Sequence, residues 1–119
     1  MTESNVIVDL HQRLGIPSDY AARTGLVQQR TPDDLVDIGV DVFDRPQRLR
    51  MEAANAWTGL VEAASIDGVT VQLVSAYRSL EYQADLIQRK VESGESISEI
   101  LTRIAAPGYS EHQGGCAVD

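Results

Sequence analysis

Val69-Thr70-Val71-Gln72-Leu73-Val74, followed without a break by Ser75-Ala76-Tyr77-Arg78-Ser79, is the stretch on which the architecture turns. Its first six residues alternate branched apolar with polar side chains and then become fully apolar, as a largely buried strand does. Ser79 offers a side-chain oxygen to the free N–H groups of a helix start, and Leu80, Ala84, Ile87 and Val91 then draw one apolar line that Gly94 ends. The reading is a strand that leads directly into an amphipathic helix.

Upstream, from about Leu49, the positions Ala53, Trp57, Leu60, Val61 and Ala64 follow the spacing of one helix face, and Asp67-Gly68 closes that long helix. Thr31-Pro32-Asp33-Asp34 joins a capping oxygen, a proline and first-turn acids, which predicts a short helix ended by Gly39. Residues 6 to 14 read as another short helix, stopped at Gly15-Ile16-Pro17-Ser18. Downstream, Ser96-Ile97-Ser98-Glu99 is a capping-box pattern for a third helix running up to Pro107-Gly108. Ala105 to Gln113 is expected as loop. Gly114 to Asp119 reads as the beginning of a strand, with Ala117 and Asp119 on one face and Cys116 and Val118 on the other. The chain shows no internal repeat, low-complexity tract or linker.

At 119 residues the chain has the size of one compact domain, taken here as residues 1–119. Ten Lys and Arg against eighteen Asp and Glu give a net charge of −8, which removes the electrostatic basis for binding nucleic acid or an anionic membrane. The single cysteine excludes an internal disulfide framework and any zinc site built from several thiolates, so a metal must be held by His and carboxylates. Met1-Thr2-Glu3-Ser4-Asn5 lacks a basic n-region with an apolar run behind it, and no stretch suits a membrane span. As written, the sequence is expected in the cytoplasm.

His112 and Asp119 lie seven residues apart, across a glycine-bearing segment able to turn both side chains toward one point, and both are good zinc ligands. Such a pair alone is commonly coincidental, but its surroundings are not ordinary. Ser110-x-His112-x-x-Gly115-x-Ala117-x-Asp119, preceded by Ala106-Pro107-Gly108-Tyr109, resembles the zinc-ligand motif of the VanY-like D-alanyl-D-alanine carboxypeptidases and related peptidoglycan peptidases. Ser75-Ala76-Tyr77-Arg78-Ser79 followed by Gln83 resembles the second signature of that family. The likeness is sharp over roughly Val69 to Asp119.

The resemblance implies an α+β fold with helices packed on a small, mainly antiparallel sheet, of the D,D-peptidase and hedgehog type, this chain supplying its N-terminal helix-rich part. It implies zinc-dependent release of the terminal D-alanine from peptidoglycan stem peptides ending in D-Ala-D-Ala, a family activity that mostly occurs outside the cytoplasm. By the same resemblance His112 and Asp119 are two of three protein ligands to Zn2+, and Arg78 pairs with the substrate carboxylate or the developing oxyanion. Gln83 and Ser110 hydrogen-bond the peptide or brace the ligands. The family's third ligand, a His, and its general base, a Glu, come from a later segment, so a peptidase domain incomplete at its C-terminus is expected. His11 and Glu111 do not match those roles. The alternatives are an inactive relic that binds peptide or protein through the Arg78 pocket, and a phage-type endopeptidase.

Each of these residues also has a plainer role. Arg78 could pair with Glu81 or Asp85 along the helix, Cys116 is expected as a small buried thiol, and Trp57 as a core residue. Tyr77 and Tyr109 either line a peptide pocket or pack half-buried.

Overall fold

A computed structural model describes residues 2–119. Helix α1 spans Glu3–Leu14, starting earlier than the periodicity alone suggests because the Thr2 side chain caps Asn5 N–H at 3.2 Å. Gly15, with φ at 74°, ends it in the left-handed region that glycine enters without strain. Ile7, Leu10 and Leu14 are its buried stripe. A short helix α2, Tyr20–Thr24, follows and was not foreseen in the sequence.

The expected helix after Thr31 is instead a strand. Strand β1, Leu35–Val40, pairs antiparallel with β2, Pro46–Arg50, in a two-stranded sheet. The acids and proline near Thr31 imitate a helix start, but Leu35-Val36-Asp37-Ile38-Gly39-Val40 is rich in branched residues and finds a partner ladder, and pairing overrides local propensity. Gly39 is no helix terminator. It sits at the register shift between Asp37 and Gly39, with φ at 101°.

The long helix α3 covers Met51–Ile66, two residues later than expected, since Leu49 belongs to β2 and is almost fully buried there. Its inward face is the one read from the sequence, but it is only partly covered: Ala54 is buried, Ala53, Trp57, Val61 and Ala64 are half-buried, and Leu60 is 54% exposed. Val69 to Val74 is extended but forms no ladder of its own. Leu73 O accepts from Val42 N–H and Val74 N–H donates to Asp119 O, which are isolated rungs rather than a paired strand. Helix α4, Leu80–Glu92, is as read, with Ser79 Oγ accepting from Tyr82 N–H at 3.0 Å and Leu80, Ala84 and Ile87 buried. Helix α5 is a single turn, Ile97–Ile100, capped by Ser96 on Glu99 N–H; turns replace the rest of the expected third helix. Within the expected loop, Glu111–Gly114 forms a 3-10 turn. After the turn the expected strand does not form a ladder: Gly115 O accepts from Arg50 N–H, and Asp119 exchanges backbone hydrogen bonds with Ser75.

The α+β architecture holds two apolar clusters. One gathers Ile7, Leu10, Leu14, Tyr20, Leu80, Ala84, Ile87 and Ile100 from the helices α1, α2, α4 and α5. The other joins Leu49, Ala54, Leu73 and Ala76 beneath the sheet and α3. Each fully buried aliphatic side chain contributes about 1.5–3 kcal/mol of transfer free energy. Between the clusters runs Ala76 to Leu80. Cys116, expected as a buried thiol, is exposed, whereas Trp57 packs half-buried against the second cluster; both line an apolar groove with Leu49, Ala53, Leu60 and Val118. Cys116 follows the left-handed Gly115, so the chain turns its side chain outward across α3 rather than into the cluster. Among the described residues no helix is long and apolar enough to cross a membrane.

The β1–β2 connection is tied by a buried carboxylate. Burial alone would raise the pKa of Asp41. Hydrogen bonds from the Gln47 side chain, from the backbone N–H groups of Arg45 and Phe43 and from the Arg45 guanidinium outweigh it and hold the pKa at about 2. A carboxylate depressed in the folded state stabilises above its unfolded pKa of about 3.9 and loses that contribution as pH falls through its folded value. Asp41→Asn should therefore be less stable than wild type near neutrality, and urea titrations from pH 5 down to pH 2 should show the difference shrinking across that window.

Candidate functional site

The five residues singled out from the sequence meet in one cleft. Arg78, Gln83, Ser110, His112 and Asp119 all line an open cavity of about 360 Å³ between the N-terminal half of α4 and the 3-10 turn, with Tyr109 and Arg103 at its walls. Three short segments bring four of them there, and backbone bonds to Val74 and Ser75 place Asp119. Ser75 to Ser79 crosses between the two clusters, α4 carries Gln83 one turn after its cap, and the loop from Ala105 returns along α4 to deliver Ser110 and His112.

His112 is held in one orientation. Its Nδ1 lies 2.7 Å from the carbonyl oxygen of Ala76, which can only accept, so Nδ1 donates there and Nε2 is left to face the cleft. Nε2 points at Asp119, 3.3 Å from Oδ2. Two ligands bound at about 2.0–2.2 Å with a tetrahedral angle lie about 3.3–3.5 Å apart. The spacing of imidazole nitrogen and carboxylate oxygen thus fits one edge of a zinc coordination sphere. Among the described residues no group of three or more His, Cys, Asp or Glu is placed to hold a metal, so the pair is two donors and not a full set.

Arg78 takes neither Glu81 nor Asp85 as its partner. Its Nε donates to Ser75 Oγ at 3.0 Å and its terminal nitrogen to Asp119 Oδ2 at 3.3 Å, while its backbone N–H donates to His112 O. One carboxylate oxygen therefore faces both the imidazole and the guanidinium. Gln83 is 3% exposed; its amide nitrogen donates to Ala105 O at 2.8 Å, which fixes the flip and leaves Oε1 buried without a donor. That orphan acceptor in the cleft wall suits an incoming N–H. Ser110 braces rather than reaches out: its Oγ accepts from His112 N–H at 3.2 Å.

Sequence reasoning missed the supports beneath these residues. Gln47, buried on β2, donates to Asp41 Oδ2 at 2.7 Å and accepts from Ala76 N–H at 2.9 Å, and Tyr77 N–H donates to Arg48 O, so both peptides flanking the Ala76 Cα are pinned. Gln113, 2% exposed, donates toward Glu3 and the Gln29–Thr31 segment and fastens the 3-10 turn to the N-terminal region. His11, read as no ligand, bonds Pro107 O at 2.7 Å and packs against Tyr20 and Tyr109. Tyr109 accordingly serves both the aromatic cluster and the cleft wall. Gly115 needs its φ of 74° and has the Arg50 backbone nitrogen 3.2 Å from where a Cβ would stand, so glycine at this motif position is a steric requirement. The partners of Gln113 and His11, and the Ala76 partner of Gln47, lie far off in sequence, and no local pattern signals them.

The family model for VanY D-alanyl-D-alanine carboxypeptidases matches residues 46–119. The chain belongs to the VanY family. A D-alanyl-D-alanine carboxypeptidase of Enterococcus faecalis is 32% identical over 91 residues, which are 70% of this chain and 34% of that protein. Among solved structures the LdcB LD-carboxypeptidase superposes with a TM-score of 0.66 at 32% identity, covering 76% of this chain and 44% of LdcB. VanYB, solved in complex with D-alanine-D-alanine, superposes at 0.57 with 29% identity, covering 79% of this chain and 57% of VanYB. A vancomycin-resistance D,D-pentapeptidase VanY in complex with Zn(II) gives 0.59 at 28% identity, over 77% of this chain and 55% of that one. The chain thus spans from about a third to somewhat over half the length of these VanY-like relatives.

Removing the Gln47 amide leaves a buried N–H at Ala76 and one contact fewer on Asp41. Gln47→Ala should cost about 1–3 kcal/mol of stability, read from urea denaturation at pH 7, with the His112 Nδ1 proton losing its slow solvent exchange in NMR spectra.

Proposed function

We propose that this chain carries the substrate-binding and metal-holding part of a zinc-dependent D,D-carboxypeptidase that releases terminal D-alanine from peptidoglycan stem peptides. The observation that carries the reading is the His112 pair: a tautomer fixed by Ala76 O, with Nε2 aimed at Asp119 across a distance that suits two ligands of one metal. His112 and Asp119 would hold the zinc. When bound, that ion lowers the pKa of a water molecule to about 7 and polarises a carbonyl.

The chain's own residues would do the rest of the work assigned to them here. Arg78 lies beside the ligand pair with guanidinium donors to spare, and a fixed fork of donors suits the terminal carboxylate of a peptide or the oxyanion that develops at its scissile carbonyl. Gln83 Oε1 accepts from a peptide N–H, which satisfies the orphaned atom and sets the register of the substrate. Ser110 keeps the backbone of His112 in place, and Tyr109 offers an apolar face beside it. A third ligand and a general base, which the family likeness assigns to a later segment, would complete the reaction in the whole protein. The reading supports exopeptidase action because Arg78 offers a charge partner to a free chain end.

In the complete protein, His112→Ala and Asp119→Ala should each lose both retained zinc, measured by metal analysis after dialysis against a chelator, and D-alanine release from a D-Ala-D-Ala pentapeptide. Arg78→Lys should retain zinc but raise KM by about tenfold, the equivalent of one charge-assisted hydrogen bond. Unchanged turnover in either ligand variant overturns the assignment, and faster cleavage of an L,D-linked tetrapeptide than of the D,D-pentapeptide would move the specificity to that of an L,D-enzyme.

A further inference from the structure

On the other side of Arg78 lies a second pocket, of about 210 Å³, walled by Arg45, Arg48, Arg78, Ser75, Ser79 and Tyr82. Its charge is out of keeping with the rest of the molecule. The chain has eighteen acids and ten bases, yet three of the ten bases line this one pocket and no acid does. Two acids that touch its arginines do so from outside: Asp41 is buried beneath Arg45, and Asp119 bonds Arg78 from the side of the cleft.

The donors of the three arginines are used very unequally. Arg45 is fixed by Asp41, by Tyr82 Oη at 3.1 Å and by Val74 O at 3.0 Å, so it is a rigid wall. Arg78 is fixed by Ser75 and Asp119. Arg48 lies over the Tyr77 ring, 5.3 Å from its centroid, and donates to no protein acceptor among the described residues. A guanidinium has five N–H donors, and stacking on an aromatic face orders it without consuming any of them. The pocket also receives the start of α4, a helix of thirteen residues whose Ser79 cap lines it. Its dipole adds partial positive charge there.

We propose that this pocket is a second oxyanion site, beside the His112–Asp119 cleft, which takes a phosphate or a carboxylate group with the ring-stacked Arg48 as its free donor and Arg45 and Arg78 as walls. The proposal does not depend on the peptidase reading, because Arg48 and Arg45 do not line the cleft, although Arg78 borders both. Phosphate and carboxylate share the planar fork recognition that arginine provides. They differ in source: a phosphodiester of a wall polymer, or an acidic side chain of a peptide.

The test uses the 119-residue chain and inorganic phosphate, then acetate, titrated at constant ionic strength while the arginine Nε–H signals are followed by NMR. The Arg48 signal, identified by its disappearance in Arg48→Gln, should shift along a saturating curve together with the amides of Ser79 and Leu80. Arg48→Gln should weaken binding at least tenfold with the remaining amide spectrum unchanged, and His112→Ala should leave it intact. Saturation by phosphate alone or by acetate alone supports the site and identifies its source. Linear, unsaturating shifts overturn it, as does the same midpoint in wild type and Arg48→Gln. Binding lost in His112→Ala but kept in Arg48→Gln would overturn it too, placing the anion in the catalytic cleft.

Discussion

A single chain of hydrogen bonds underlies the site. It begins at the buried Asp41 carboxylate, passes through the Gln47 amide to Ala76 N–H, continues along residue Ala76 to its carbonyl oxygen and ends at His112 Nδ1. Every group along it has one acceptable orientation, because a carboxylate accepts, a backbone N–H donates and a carbonyl accepts. The low-dielectric surroundings make each bond costly to break, Ala76 and Gln47 being buried. The sheet therefore does more than cover a core: its hairpin holds the carboxylate that fixes the imidazole, some seventy residues further along the chain.

Much of the site was legible in the sequence, and for a physical reason. The two motifs pack their functional residues within a few positions of a cap, a turn or a glycine whose local chemistry is short-range. Ser79 starts α4 where expected and so sets Gln83 one turn along, and Gly115 provides the left-handed turn before Ala117 and Asp119. All five chosen residues share one cleft. What could not be read was long-range. Strand β1 looked like a helix start because Pro32, Asp33 and Asp34 satisfy local helix rules, while the ladder that overrules them is made with Pro46–Arg50. The third helix shrank to one turn because capping favours initiation but says nothing of length. Cys116 is exposed because the chain leaves Gly115 running across α3, a direction that strand alternation alone does not determine.

Arg78 joins these two levels. It ends the segment between the clusters, hydrogen-bonds the backbone of His112 and shares an oxygen of Asp119 with the imidazole, so the two sequence motifs are in direct contact. It also forms the partition between the cleft and the arginine-lined pocket. An arginine suits this position because its planar head can satisfy partners on two sides at once, whereas a lysine offers a single point of charge.

The two apolar clusters have a consequence for how the molecule moves. One is helical and holds Gln83's helix, the other lies under the sheet and holds Ala76, and the cleft is the boundary between them. Cooperative units of a protein tend to follow such clusters, and their boundaries open at lower free energy than the whole. The backbone amides of Tyr77 and Arg78, bonded to Arg48 O and His112 O across that boundary, are its fasteners. Opening of that boundary would part Arg78 from His112 before either cluster came apart.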